Sequence, residues 1–264
     1  MGLLRRRSPW EREFQEVWRK EQWFLRQYDE KTKTALEQKI SQIAPEKLME
    51  TLHGAFEKAF VLVFEKGTGI IRKMGRQEAR REAYQENEAA ANVCEDRKNL
   101  KAFSRAARKA AVGNVAVSGV AGVGMGLFGI ALPDLPLFTA MLLKSVYETG
   151  ESYGFPCEGE DEQLYALRVI EAALSYGEEL REKNRTLDLY AQTGLWPDTA
   201  RRDAQIRATA RRLSEAVLYA KALQNVPVVG AVGGAGDAVC LSRVQKYAAI
   251  KYHKRFLIRR RLAE

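Results

Sequence analysis

Residues 97–133 read RKNLKAFSRAARK followed directly by AAVGNVAVSGVAGVGMGLFGIALP, and the change after Lys109 divides them into a basic half and an uncharged half. The uncharged half, 110–133, contains six glycines and no ionisable side chain. As a helix these residues would extend for about 36 Å, which is longer than the hydrocarbon core of a bilayer. The sequence leaves open whether the segment spans a membrane, dips into it or packs inside the protein.

Small residues recur at every fourth position of the uncharged half: Ala110, Asn114, Ser118, Gly122 and Gly126. A second uncharged segment, 222–236, repeats the pattern with Gly230 and Gly234. Such small-residue stripes allow two helices to approach closely. We therefore predict that the two segments pack against each other through Gly122, Gly126, Gly230 and Gly234. Insertion into a bilayer and simple loops are the alternatives.

The rest of the chain has the pattern of a helical protein. All seven prolines lie between segments of helical periodicity, and no segment alternates as a strand does. The sequence predicts an all-α fold, a single bundle of about 7–8 helices with the two glycine-rich helices packed centrally. An N-terminal helical region (1–95) and a helical core (96–264) are expected to form one continuous domain. The predicted helices span 9–41, 45–66, 69–93, 96–131, 134–153, 161–193, 198–224 and 228–260.

The basic half forms a one-sided cationic helix in this prediction. Its cations fall on one arc of about 120° at the helical period, opposite a weakly apolar, alanine-rich side. Such a helix is typical of proteins that lie on an anionic membrane, although a merely solvated face is the alternative. The cations are Arg97, Lys98, Lys101, Arg105, Arg108 and Lys109.

The last helix is also rich in cations. Residues 241–262 interleave basic side chains with aromatic and aliphatic ones, which resembles a surface helix that binds anionic lipid or RNA. A solvated helix face is again the alternative. The predicted membrane-surface residues of this segment are Lys254, Arg255, Arg259, Arg260 and Arg261.

The first predicted helix, 9–41, has an aromatic stripe that includes Trp10, Phe14, Trp18 and Phe24. The stripe predicts docking of this helix onto the core. The alternative is that the tryptophans contact a membrane interface, where tryptophan is enriched.

Composition limits the classes of function. The formal net charge of +9 and the pI near 9.4 favour an anionic partner: lipid headgroups, nucleic acid or an acidic protein. Three distant cysteines without a CxxC pair indicate a reducing compartment and argue against a disulfide framework or a zinc site. The chain lacks a P-loop and an HExxH, so we expect no cofactor and no metal. A non-enzymatic protein is the favoured interpretation.

Three carboxylates are the weak candidates for catalysis. Asp134 is isolated in an apolar stretch, and Glu148 and Glu151 share a face of the predicted helix 134–153. Converging carboxylates could bind a cation or act as acid and base, which predicts a cation-dependent hydrolase as an alternative function. The competing interpretations are an N-cap for Asp134 and a salt-bridge cluster for the glutamates.

Residues 129–156, GIALPDLPLFTAMLLKSVYETGESYGFP, resemble the signature of the EcsC family. The likeness includes the acidic residue Asp134, which precedes a Leu-Pro pair. It also includes Tyr147, Glu148, Tyr153, Gly154 and Phe155. Residues 225–234, NVPVVGAVGG, and the basic helix ending in YHKRF at 252–256 resemble the family as well. The resemblance is good over about 100–264 and looser over 1–99.

The resemblance implies a helical fold and a connection with membrane processes, since the namesake of the family is encoded beside an ABC transporter. It supplies no catalytic residues. The combined prediction is a cytoplasmic accessory protein bound peripherally at the inner face of the cell membrane, with a transporter or other protein as a further partner. A nucleic-acid-binding helical protein is the remaining alternative, because positive charge alone does not separate lipid from nucleic acid.

Overall fold

The computed structural model describes residues 7–30, 46–67, 77–109, 135–156, 158–199, 201–224 and 235–263. Side chains are described in all of these ranges except at 66–67, 220–224 and 235–238. Outside the described residues lie the predicted glycine contact and one candidate carboxylate: Gly122, Gly126, Gly230, Gly234 and Asp134.

Throughout the described ranges every regular element is helical, which confirms the predicted all-α bundle. One helix, α2, continues into a π-helical turn at Val63–Gly67. The helices are α1 Pro9–Gln27, α2 Glu46–Leu62, α3 Gln77–Val93, α4 97–109, α5 Leu135–Ser152, α6 Glu160–Leu174, α7 Gly177–Thr193, α8 Arg202–Gln224 and α9 Ala235–Leu262.

The start of α1 is set by local chemistry. The Ser8 hydroxyl accepts a hydrogen bond from the Glu11 amide at 3.1 Å, and the Glu11 carboxylate accepts one from the Ser8 amide at 2.7 Å. This reciprocal capping box satisfies two backbone donors, and Pro9 at the first helical position has no donor to lose. From this start, Val17 and Phe24 are buried against the core, as the aromatic stripe predicts.

The predicted helix 161–193 is wrong in one respect, because the structure divides it into α6 and α7. The chain leaves the helical conformation at Ser175, and Gly177 restarts it with φ of 58°. A positive φ suits glycine, which has no Cβ to clash. The Gly177 amide donates to the Tyr28 carbonyl at 2.9 Å, so the break ties the end of α1 to the start of α7.

Helix α9 lies at the centre of the bundle, packed against α1, α5, α6, α7 and α8. The sequence predicted a surface helix here, and the structure places it in the core. The reason is that apolar side chains lie all around its circumference, a pattern typical of a buried helix. The buried apolar residues of α9 include Leu241, Val244, Tyr247, Ala248, Tyr252, Phe256 and Leu257.

Helices α1 and α4 lie side by side on the outside of the bundle. Trp10 of α1 donates its indole hydrogen to the Leu257 carbonyl of α9 at 2.9 Å. Phe103 of α4 packs on Phe256, with ring centroids 4.3 Å apart. Both helices therefore rest on α9 through one face and leave the opposite face towards solvent.

In the part of the chain that the structure describes, none of the helices is both long enough and apolar enough to cross a bilayer.

Candidate functional site

Two cations of α4 are used to join this helix to α1. The Arg97 guanidinium bonds Glu13 at 2.9 Å and Glu16 at 2.6 Å. The Lys101 ammonium lies 3.2 Å from Glu16. Because Glu13 is buried, its charge needs such partners, and the cations on this edge of the predicted arc therefore have a structural role.

Glu16 is the centre of this junction. It also pairs with Lys20, one turn along α1, at 2.9 Å. Partial burial alone would raise the pKa of Glu16, but the hydrogen bonds and charges of Lys20, Lys101 and Arg97 outweigh it and lower the pKa to about 2. Glu16 is therefore ionised at neutral pH and holds three cations together.

The other four cations of α4 form no ion pair with α1 among the described residues. All four are exposed, and none has a carboxylate within ion-pairing distance among the described residues. Residues 97–109 themselves contain no acidic side chain. We call these four residues the α4 cation face: Lys98, Arg105, Arg108 and Lys109.

The C-terminal cations have a different environment. Lys254, predicted at the membrane surface, is buried and bonds Glu21 at 2.6 Å and Asp188 at 2.8 Å. Lys251 bonds the same two carboxylates, at 2.9 Å and 2.5 Å. These four residues form a charge-balanced lysine–carboxylate cluster that joins α1, α7 and α9. Inside the bundle Lys254 does not face a membrane, and the predicted surface role is corrected to a structural one.

Arg255 and Arg259 are also used inside the protein. Arg255 bonds Glu162 at 2.8 Å, and Arg259 donates to the backbone carbonyls of Tyr153 and Gly154 at 2.9 Å each. Both guanidinium groups lie over the Phe155 ring, at 4.1 Å and 4.2 Å from its centroid. Their predicted place in a surface patch is therefore wrong, because Glu162 of α6 accepts the hydrogen bond of Arg255, the turn after α5 accepts those of Arg259, and Phe155 of that turn contacts both guanidinium groups.

The last two predicted cations lie near the end of α9. Arg260 is largely buried and bonds Asn92 at 3.1 Å and Glu95 at 3.4 Å. Arg261 is exposed, with its guanidinium 5.8 Å from the centroid of the Trp10 ring. Of the five C-terminal residues in the predicted surface, Arg261 alone faces solvent.

The motif residues Tyr153, Gly154 and Phe155 form the turn that receives Arg259. Gly154 has φ of 75°, and a Cβ at this position would overlap the ring of Tyr84. Glycine is therefore needed here both for its backbone conformation and for the close approach of Tyr84. The turn thus connects α3, α5 and α9.

The two candidate catalytic glutamates converge, but on an arginine. Arg80 of α3 bonds Glu148 at 2.9 Å and Glu151 at 2.7 Å, and Lys144 lies 3.0 Å from Glu148. Nowhere in the described ranges do three His, Cys, Asp or Glu side chains form a group that could hold a metal ion. The geometry corresponds to the predicted salt-bridge cluster of Glu148 and Glu151. Arg80 occupies the position in which the hydrolase alternative requires a bound cation.

Sequence reasoning missed Arg80 and the lysine–carboxylate cluster. One signal for the cluster is present in α1, where Glu21 falls on the buried face between Val17 and Phe24. An acid on an apolar stripe requires a buried cation nearby. Arg80 gives no such signal, because it is far from Glu148 in the chain and its helix has few buried side chains.

Comparison with known proteins gives a family match over most of the chain. A sequence model of the EcsC protein family matches residues 10–257. The chain is similar to Protein EcsC of Bacillus subtilis (strain 168), with 25% identity over 177 residues, which cover 64% of this chain and 72% of that protein. No solved structure matches the chain.

Proposed function

The chain belongs to the EcsC family, and from this premise we propose that it is a non-enzymatic helical accessory protein that binds peripherally to anionic membrane. It acts at the cytoplasmic face of the cell membrane, in association with a transporter system. The contact with lipid is made by the α4 cation face, Lys98, Arg105, Arg108 and Lys109.

The observation that carries the proposal is the division of charge on α4. Arg97 and Lys101 are paired with carboxylates of α1, whereas the four residues of the α4 cation face have no carboxylate in reach among the described residues. An exposed group of cations on one helix has a positive potential that attracts anionic headgroups. The pairing on the inner edge fixes the helix, so the outer cations are presented in a constant orientation.

The magnitude of this attraction predicts reversible binding. Each Lys or Arg close to an anionic surface contributes about 1 kcal/mol at low salt, so four contribute about 4 kcal/mol, which corresponds to a dissociation constant of about 1 mM. Such binding is weak and sensitive to salt, because exposed charges are screened over about 8 Å at physiological ionic strength. A second contact is needed for stable attachment.

Vesicle co-sedimentation tests the proposal. We expect the protein to sediment with phosphatidylglycerol-containing vesicles at low salt, to remain in solution with pure phosphatidylcholine vesicles, and to be released as the salt concentration rises. Equal binding to both kinds of vesicle would contradict the proposal.

A matched pair of variants assigns the binding to α4. The variant K98Q/R105Q/R108Q/K109Q lowers the formal net charge by four, and so does R181Q/R185Q/R207Q/R211Q, which changes exposed arginines on α7 and α8. We expect the first variant to lose binding to anionic vesicles and the second to keep most of it. If both lose binding equally, net charge rather than the α4 cation face determines the affinity.

The nucleic-acid alternative is tested by the same pair of proteins. Arg259 of α9 is not available to a nucleic acid, because it donates to two backbone carbonyls inside the bundle. A nucleic acid would bind through exposed cations such as those of the α4 cation face. A steeper loss of affinity with salt for duplex DNA or RNA than for vesicles, abolished in K98Q/R105Q/R108Q/K109Q, would favour nucleic acid over lipid.

A further inference from the structure

The outward face of α1 carries two exposed tryptophans. Trp18 is 49% exposed and Trp23 is 57% exposed. At 100° per residue they lie about 140° apart on the helix and bracket the side that points away from the core. Val17 and Phe24 form the opposite, buried side. Two large aromatic side chains exposed on the outward side of one helix provide apolar area that a partner can cover.

Arginines lie between the two tryptophans. Arg12, Arg19 and Arg26 are all exposed and fall within about 60° of Trp23 around the helix axis. The carboxylate on this arc, Glu11, is engaged in capping the helix through the Ser8 amide. We call this surface the α1 tryptophan face, defined by Trp18, Trp23, Arg12, Arg19 and Arg26.

The α1 tryptophan face continues into the α4 cation face. Glu16 and Lys20 lie on the side of α1 next to Trp23, and Glu16 binds Arg97 and Lys101 of α4. The junction at Glu16 therefore holds the two helices as one surface, with aromatic side chains on one part and exposed cations on the other.

We propose that α1 lies on an anionic bilayer with Trp18 and Trp23 at the level of the lipid headgroups. Tryptophan concentrates at the membrane–water interface, where its ring meets both apolar and wet surroundings. Arginines beside it meet the anionic headgroups, so charge and apolar area are both complementary to this one partner. The inference rests on the proposed membrane association and supplies the second contact that the α4 cation face requires.

The chain offers a built-in spectroscopic control, because its other two tryptophans are partly buried and make contacts within the protein. The Trp10 indole donates to the Leu257 carbonyl, and Trp196 stacks on Tyr190 with centroids 3.9 Å apart. A W10F/W196F protein therefore reports on the α1 tryptophan face alone, and a W18F/W23F protein reports on the internal pair.

The experiment measures tryptophan emission of both proteins with phosphatidylglycerol vesicles, with and without brominated acyl chains. We expect a blue shift and quenching by brominated lipid for W10F/W196F, and neither effect for W18F/W23F. If the proteins sediment with the vesicles but the emission of W10F/W196F does not change, this inference is wrong and the proposed function stands. If the proteins do not sediment with anionic vesicles, the proposed function itself fails.

Affinity gives the second readout. The variant W18A/W23A is expected to bind anionic vesicles at least about tenfold more weakly, since roughly half of each large ring is removed from water on binding. The matched control is L189A/L195A, which truncates two exposed apolar residues at the end of α7 and should leave the affinity unchanged. Equal affinities of W18A/W23A and wild-type protein would overturn the inference. So would quenching of Trp18 and Trp23 by single-stranded DNA in place of vesicles, since bases stack on such rings.

Discussion

Helices α4 and α9 both interleave many cations with apolar residues, yet the cations of the two helices have opposite roles. The α4 cation face has no carboxylate partner among the described residues and points to solvent. The cations Lys251, Lys254 and Arg255 of α9 are buried or nearly so and each bonds a carboxylate. The difference follows from the share of the helix circumference that is apolar, which is small on α4 and large on α9. Cations on a largely apolar helix hold the fold together, and cations opposite a narrow stripe remain available for a partner.

The largest expected effect comes from breaking the lysine–carboxylate cluster. Lys251→Met keeps much of the length of the side chain but leaves Glu21 with one of its two ammonium partners, in a site where Lys251 and Glu21 are each 1% exposed. Loss of one partner of a buried ion pair costs about 3–5 kcal/mol of the free energy of unfolding. Urea unfolding followed by circular dichroism measures this loss. Lys98→Met on α4 is the matched control, expected to change stability by less than about 0.5 kcal/mol.

A loss of less than about 1 kcal/mol in Lys251→Met would mean that the cluster is hydrated or unformed, since partly solvated ion pairs contribute little. The contrast between α9 and α4 would then disappear.

The next effect concerns the turn that receives Arg259. Gly154→Ala combines a positive φ with overlap of the new Cβ and the Tyr84 ring, and it is expected to cost about 3 kcal/mol of stability. Gly194→Ala is the matched control, because Gly194 has φ of 69° and no atom near the position of a Cβ. Its expected cost is about 1 kcal/mol, from backbone strain alone. Thermal or urea unfolding of the two proteins gives the comparison, and equal losses would show that Tyr84 does not pack on the turn.

A pH effect of intermediate size is expected from His253 on α9. Its ring stacks on Tyr153, its Nε2 atom has no hydrogen-bond partner among the described residues, and burial lowers its pKa from 6.5 to about 3. Nearby Lys20 and Lys101 lower the pKa further, and Glu16 opposes them. Between pH 6.5 and about 3 the unfolded chain therefore binds a proton that the folded protein excludes.

The free energy of unfolding should accordingly fall as the pH decreases below 6.5, by about 2 kcal/mol at pH 5. The contribution of His253 should level off near pH 3. Unfolding free energies of wild-type and His253→Phe proteins at pH 7.5 and pH 5 measure it. The difference between the two pH values should shrink in His253→Phe; an unchanged difference would show that His253 is hydrated.

The smallest expected effect on stability is that of the α4 cation face itself. Neutralising its four residues should change the free energy of unfolding by less than about 0.5 kcal/mol for each residue, because exposed charges without partners contribute little. Urea unfolding of K98Q/R105Q/R108Q/K109Q measures this. A large destabilisation would indicate that these cations have carboxylate partners elsewhere in the protein.

The fold class and the basic helix at 97–109 could be predicted from the sequence, because helical periodicity and the one-sided distribution of charge are local properties. The prediction misplaced Lys254, Arg255 and Arg259, although a signal was present. At 100° per residue the apolar residues of α9 are spread over most of the circumference, which is the pattern of a largely buried helix.

Other features depend on tertiary contacts that the sequence does not show. The pairing of Arg80 with Glu148 and Glu151 joins residues about 70 positions apart in the chain, by way of contact between α3 and α5. The helix break before Gly177 is stabilised by the Tyr28 carbonyl, from the end of α1. A sequence pattern can indicate that a glutamate needs a cation, but the partner is chosen by the packing of the helices.

The central claim is that the α4 cation face binds membrane and that the α9 cations maintain the fold. It is tested by measuring how two variants partition onto vesicles at a temperature where both variants are folded. We predict that K98Q/R105Q/R108Q/K109Q keeps its stability and loses affinity for anionic vesicles. Lys251→Met should lose stability and keep that affinity. Wild-type affinity in the α4 variant would contradict the account.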